Sequence, residues 1–229
     1  RWRDEGHLSS NGRCFDIGLT VRSALSRFQQ TGDAAMSGSP SSQASGNGSI
    51  MRLAPIPVRY ARLFPEHVAE LIGFCIDSSR PTHGSDQCLS ACAYFGLVLA
   101  GLINGVGRDE VLDPKWEHLS KLKQRFTLHP EAAEVAAGSF RRKEPPEIVG
   151  SGYVVRSLEA ALWAFHDAED FREAVLKAVN LGDDADTTGA VCGQLAGAYW
   201  GESGVPVEWL EGLARKDFIE QALSGLLAA

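Results

Sequence analysis

The sequence predicts an all-α protein on two observations: apolar residues recur at helical spacing along most of the chain, and alternating, strand-like runs are nearly absent. Ile17, Val21, Ala24, Leu25 and Phe28 share one helical face, with Asp16 placed to cap its N-terminus. Val68, Leu71, Ile72, Cys75 and Ile76 form a second stripe behind Pro65, a residue suited to a first helical position. From Cys88 to Ala100 the chain is apolar almost all round, the pattern of a central helix buried on every side. Leu158, Ala161, Leu162 and Phe165 make a further stripe. Asp170 and Glu173 then have capping-box spacing ahead of a helix carrying Phe171, Ala174, Val175 and Val179. Two more helices are expected over 190–199 and 218–227, and only 148–155 could be extended.

Two segments interrupt this pattern. Residues 37–48 (SGSPSSQASGNG) are rich in Ser and Gly and could pass for a flexible linker. Residues 138–152 form a second long loop, and loops of this length in a compact domain are usually functional or disordered. Apolar helices on both sides of each loop favour one domain over 1–229. A chain of 229 residues is long enough for a single core burying roughly 70% of its unfolded surface.

A net charge of −7 makes nucleic acid an improbable partner, since such proteins usually carry a basic face. No basic run exceeds Arg141-Arg142-Lys143. No stretch reaches the ~18 uninterrupted apolar residues of a membrane span, so no membrane partner is expected, and the start does not read as a signal peptide. Cys14, Cys75, Cys88, Cys92 and Cys192 are an odd count scattered through apolar segments. That suits a reducing, cytoplasmic setting better than a disulfide framework. Cys88 and Cys92, one turn apart, lack two further ligands for zinc and read as small buried hydrophobes.

The densest chemistry lies in Gly182-Asp183-Asp184-Ala185-Asp186-Thr187-Thr188-Gly189. One carboxylate at a helix start is stabilised by free N–H groups; three in four residues exceed that need and repel one another. Either the cluster is a solvated cap, or Asp184, Asp186 and the Thr187 hydroxyl offer oxygen ligands to a hard divalent cation.

Ser45-Gly46-Asn47-Gly48-Ser49 leads into an apparent helix start, where converging backbone N–H groups could hold a diphosphate; it could equally be a plain turn. Thr82 could cap the buried helix with His83 a mere neighbour, or His83 could donate to a ligand oxygen. A Ser49–His83–Asp triad lacks the usual nucleophile setting. Tyr153 could anchor its loop or stack on a base.

Taken together and in order, FDIGLTVRSAL (15–25), SGNGSIMRLAPIPV (45–58), TH (82–83), SGYVVRSLEAALWAF (151–165) and GDDADTTGAVCGQLAGAYWG (182–201) resemble the ADP-ribosylglycohydrolase family. The resemblance implies an orthogonal helical bundle with a two-metal centre of Mg²⁺ or Mn²⁺ at the base of a cleft. It implies that Asp184, Asp186 and Thr187 are metal ligands, the aspartates also being catalytic. Ser45, Gly46, Asn47, Gly48 and Ser49 would cradle a diphosphate, His83 would touch the ligand, and Tyr153 would lie by the adenosine half. Met51 and Arg52 belong to the same motif, with a structural role expected. The implied activity is metal-assisted hydrolysis at C1″ of the distal ribose, on ADP-ribose conjugates of a protein side chain or small molecule.

Members of the family also carry an early Thr-Asp-Asp motif, which nothing before Phe15 matches. The chain opens without Met, so that motif is expected further upstream. The alternative is a non-catalytic, ADP-ribose-binding relative lacking part of the metal site.

Overall fold

The computed structural model describes residues 1–228. Its longer helices, in chain order, are α1 (Leu19–Thr31), α2 (Val68–Ser79), α3 (Asp86–Ile103), α4 (Glu117–Arg125), α5 (Pro130–Ala136), α6 (Val154–Phe165), α7 (Phe171–Val179), α8 (Ala185–Trp200) and α9 (Lys216–Ala228). Among the described residues there is no strand, only two isolated bridges, Ser39 with His83 and Gly46 with Tyr153. The all-α expectation therefore holds.

Helix α3 is the axis of the core. Every residue from Gln87 to Leu102 is buried, against α2, α4, α5, α6 and α8. Each large apolar side chain placed there contributes roughly 1.5–3 kcal/mol. By length and composition α3 could cross a membrane, but 89% of it is buried inside the fold. Small residues set the spacing: a Cβ on Gly96 would lie 2.3 Å from Cys75 Sγ, so α2 and α3 pack as closely as they do only with glycine there. Cys75, Cys88, Cys92 and Cys192 are buried and unpaired, and Cys14 is half-buried.

Several boundaries differ from the sequence pattern. Helix α1 is capped by Gly18, and Asp16 lies outside it with φ 52°. Its stripe is weakly used, with Ala24 its one fully buried residue. The predicted face of α2 is buried, but His67 is its N-cap, and Pro65 sits in the preceding turn after a cis peptide. Ser85 rather than Thr82 caps α3, its Oγ accepting from Cys88 N–H at 3.4 Å. Asp170 caps α7 as expected, accepting from Glu173 N–H at 2.7 Å. Glu173 answers to Glu169 N–H at 2.6 Å, one residue earlier than a capping box requires. Helix α8 begins at Ala185, five residues before the predicted start, because packing overrides the low helix propensity of Thr187, Thr188 and Gly189. A Cβ on Gly189 would meet Val179 Cγ1 at 2.7 Å, so this turn of α8 lies directly against α7.

Neither long loop is a free linker. Gly38 N–H donates to Arg80 O at 2.9 Å and Gly84 N–H to Ser39 O at 3.1 Å, tying the start of 37–48 to the turn before α3. Its far end is tied by Asn47 N–H to Gly152 O and by Val154 N–H to Ser45 O, each at 3.0 Å. The second loop is held by buried Glu159, which takes Lys143 Nζ at 2.8 and 3.0 Å and the Ser139 hydroxyl. The expected extended run over 148–155 reduces to the bridge at Tyr153, where α6 takes over.

Candidate active site

Four segments distant in sequence meet at one place: the glycine loop (45–49), the turn at 82–84, the loop at 150–153 and the acidic turn (182–187). Asn47 joins most of them. It is 8% exposed, and its Nδ2 donates to Ser151 O at 3.0 Å and to Asp184 Oδ2 at 2.6 Å, with Ser157 Oγ at 3.4 Å. Gly150 presses on the acidic turn: a Cβ there would lie 2.4 Å from Gly182 O.

Within the glycine loop, Ser45 Oγ is bonded to Ser42 O and Ser85 Oγ, both at 2.8 Å, which fastens the loop to the start of α3. Cys88 Sγ adds a contact to Gly46 O at 3.4 Å. The backbone N–H groups of Gly46, Gly48 and Ser49 have no acceptor among the described residues. The helix that follows is a single turn, Gly48–Met51, so the donors are those loop N–H groups and the helix dipole adds little. Ser49 Oγ is buried without a hydrogen-bond partner.

His83 is 2% exposed and stacked against the loop. A Cβ on Gly46 would sit 3.5 Å from His83 Nε2, and one on Gly48 2.9 Å from Cε1. Burial first, then the Arg52 charge, pushes the imidazole down to about 4, so the ring is neutral near pH 7. Its Nδ1 engages Thr82 Oγ1 at 2.7 Å and no carboxylate, so the Ser49–His83–Asp triad does not form. Tyr153 is half-buried and donates to Glu131 Oε2 at 3.0 Å. Burial, followed by Glu131, pushes its phenol up to about 12.

The acidic turn is more open. Asp183 and Asp186 are exposed, Asp184 half-buried and Thr187 buried at 5%. Asp184 is the N-cap residue of α8, and its carbonyl accepts from Thr188 N–H at 3.0 Å and Thr188 Oγ1 at 2.9 Å. Its side chain makes no cap bond; the carboxylate turns to Asn47 instead. Among the described residues no Lys or Arg pairs with any of the three aspartates, the nearby ion pairs lying elsewhere on the surface. Two carboxylates and a hydroxyl are hard oxygen donors, and with no cation of the protein to neutralise them they fit Mg²⁺ or Mn²⁺ in kind. In number they fall short of a full shell, and among the described residues no three His, Cys, Asp or Glu side chains converge on one metal position.

Of the residues singled out by sequence, the structure thus brings Ser45, Gly46, Asn47, Gly48, His83, Tyr153 and Asp184 into one neighbourhood. Asp186 and Thr187 follow on the first turn of α8. Ser85, Ser151, Ser157 and Glu131, which hold these residues in place, carry no local signal in the sequence.

Together these features define an all-α protein with a glycine loop of free backbone donors beside an uncompensated carboxylate cluster. The chain belongs to the ADP-ribosylglycohydrolase family, whose model matches residues 1–229. It is 37% identical over 219 residues to an ADP-ribosylarginine hydrolase Tri1 of Serratia proteamaculans, covering 96% of this chain and 56% of that one. It is 29% identical over 214 residues to the ADP-ribosyl-[dinitrogen reductase] glycohydrolase of Rhodospirillum rubrum, covering 93% and 65%. A solved structure, of an ADP-ribosylglycohydrolase-related protein complex, superposes with a TM-score of 0.78 at 37% identity, over 91% of this chain and 68% of that one. The chain thus spans a little over half the length of the Serratia relative.

Proposed function

We propose that this chain forms the ADP-ribose-binding part of a hydrolase that removes ADP-ribose from arginine side chains. The observation that carries the reading is the junction of the glycine loop and the acidic turn through Asn47 and Asp184. It puts unsatisfied backbone donors beside unneutralised carboxylates, the two chemistries that a diphosphate-linked ribose needs. The arginine linkage rests on relatives named ADP-ribosylarginine hydrolases, at 37% identity.

In this reading the N–H groups of Gly46, Gly48 and Ser49 bind the diphosphate. His83, neutral at pH 7, donates a hydrogen bond without adding charge. Tyr153, steadied by Glu131, lies beside the adenosine half. Asp184, aimed by Asn47, and Asp186 with Thr187 would hold Mg²⁺ or Mn²⁺ near the distal ribose. A bound cation would supply orientation of the ribose hydroxyls and charge stabilisation as the C1″ bond is cut.

Incubation with an ADP-ribosylarginine-bearing protein should release free ADP-ribose in a Mg²⁺- or Mn²⁺-dependent way, with release lost in Asp184→Asn and Asp186→Asn. Unchanged turnover in both variants would sink the metal assignment. The limited donor set at the acidic turn favours one second reading, a non-catalytic ADP-ribose-binding relative. ADP-ribose binding with no release under any metal would establish it.

A further inference from the structure

Arg52 and Thr82 play no direct part in the site as described, yet they form a chain of hydrogen bonds that ends on His83. Arg52 Nη2 donates to Ser78 O at 3.1 Å and to Thr82 Oγ1 at 2.6 Å. Thr82 Oγ1 in turn lies 2.7 Å from His83 Nδ1. A guanidinium only donates, so Thr82 Oγ1 is an acceptor towards Arg52. The hydroxyl keeps one hydrogen, and His83 Nδ1 is the one acceptor the structure gives it. With that hydrogen turned towards the ring, Nδ1 accepts, and the proton of the neutral ring falls on Nε2.

We propose that Arg52 and Thr82 are positioning residues that fix His83 in its Nε2–H tautomer, so that the ring presents a donor to the anion held by the Gly46–Gly48 loop. Three further observations support this direction. Nε2 is the nitrogen nearest the loop, 3.5 and 3.2 Å from where Cβ atoms on Gly46 and Gly48 would stand. It has no hydrogen-bond partner of its own among the described residues. The backbone of His83 is clamped as well, its N–H donating to Ser79 O at 2.8 Å and its carbonyl accepting from Ser79 Oγ at 2.7 Å. The ring is thus buried, anchored at its backbone and held at Nδ1 by Thr82, and the choice left is which nitrogen carries the proton. An unprotonated Nε2 would meet a phosphate oxygen lone pair to lone pair; the relay removes that state.

The role of the tautomer in ligand binding rests on the proposed ADP-ribose site, whereas the tautomer itself does not. The test is long-range ¹H–¹⁵N NMR of His83 at pH 7.5, paired with calorimetric titration by ADP-ribose. The wild-type chain should show the Nε2–H tautomer, and a proton on Nδ1 overturns the proposal whatever the variants do. Thr82→Val, which keeps the shape and loses the hydroxyl, should mix the tautomers and weaken ADP-ribose binding in proportion to the rings left without Nε2–H, about twofold at an even mixture. Thr82→Ser should restore both. A Thr82→Val chain that stays wholly in the Nε2–H form also overturns the relay. Tautomers that shift as expected in a chain that binds no ADP-ribose uphold the relay and overturn the proposed function instead.

Discussion

The glycine loop and the acidic turn face one another across a single hydrogen bond, yet they are built on opposite terms. The loop is largely buried, fixed at its ends by backbone bonds to Gly152 and Val154, and braced by Ser85, Cys88 and His83. Its free N–H groups are preorganised, so in the proposed site little further ordering would be needed to receive a diphosphate. The acidic turn carries three carboxylates with no cationic partner among the described residues, two of them exposed. What holds it is Asn47, Gly150 and the packing of Thr187 and Thr188. One half is finished by the fold; the other is left electrostatically open, and a divalent cation is what would close it.

That contrast can be broken at several points. The largest effect is expected at the open half. Asp184→Asn and Asp186→Asn should each reduce metal-dependent release of ADP-ribose roughly a thousandfold, about 4 kcal/mol in the transition state. Because neither carboxylate is held by an ion pair, thermal melting should hardly move. A large fall in melting temperature would make the turn a structural cap.

The next effect belongs to the finished half and depends on pH. The folded-state value of His83 is depressed from 6.5 to about 4. Its contribution to stability is therefore intact above the unfolded value near 6.5 and is lost as pH falls through about 4. The loss is on the order of 3 kcal/mol, measurable by urea unfolding between those limits. His83→Gln should flatten that part of the profile, and an unchanged slope would remove His83 as its source.

Asn47 joins the halves. Asn47→Ala should cost about 2 kcal/mol in chemical denaturation by orphaning Ser151 O and Asp184, and should also loosen the metal dependence. A change in stability alone would mean that the two halves do not communicate. Smallest is Gly48→Ala, whose Cβ would meet the His83 ring at 2.9 Å. The ring must give way, and ADP-ribose affinity should drop about tenfold, 1.4 kcal/mol, with a smaller loss of stability as the His83–Thr82 contact shifts.

The two halves also differ in how far the sequence reveals them. Clustered aspartates and spaced glycines are local patterns, and both were legible, as were the buried face of α2 and the axial helix α3. The links between them were not. Asn47 meets Asp184 across 137 positions, and no local property of asparagine points to such a partner. The segment 37–48 has the composition of a linker because Ser and Gly favour flexible chain. Here their small size lets the backbone pair at both ends, and a Cβ on Gly38 would run into Arg80 O at 2.2 Å. Helix α4 gives little apolar signal because it is mostly polar, burying only His118, Leu119 and Leu122. Helix α8 began early because tertiary packing, not propensity, selects its first turn. Position alone allows Thr82 as a helix cap, whereas its hydroxyl pairs with Arg52 and His83.

The central claim is that the loop and the turn form one ADP-ribose site completed by a cation. Calorimetric titration of this chain with ADP-ribose, with and without Mg²⁺, tests it most directly. Binding that tightens with Mg²⁺ in the wild type, and loses that gain in Asp184→Asn, is the predicted result. Binding of equal strength with and without the cation, or none in either condition, would contradict it.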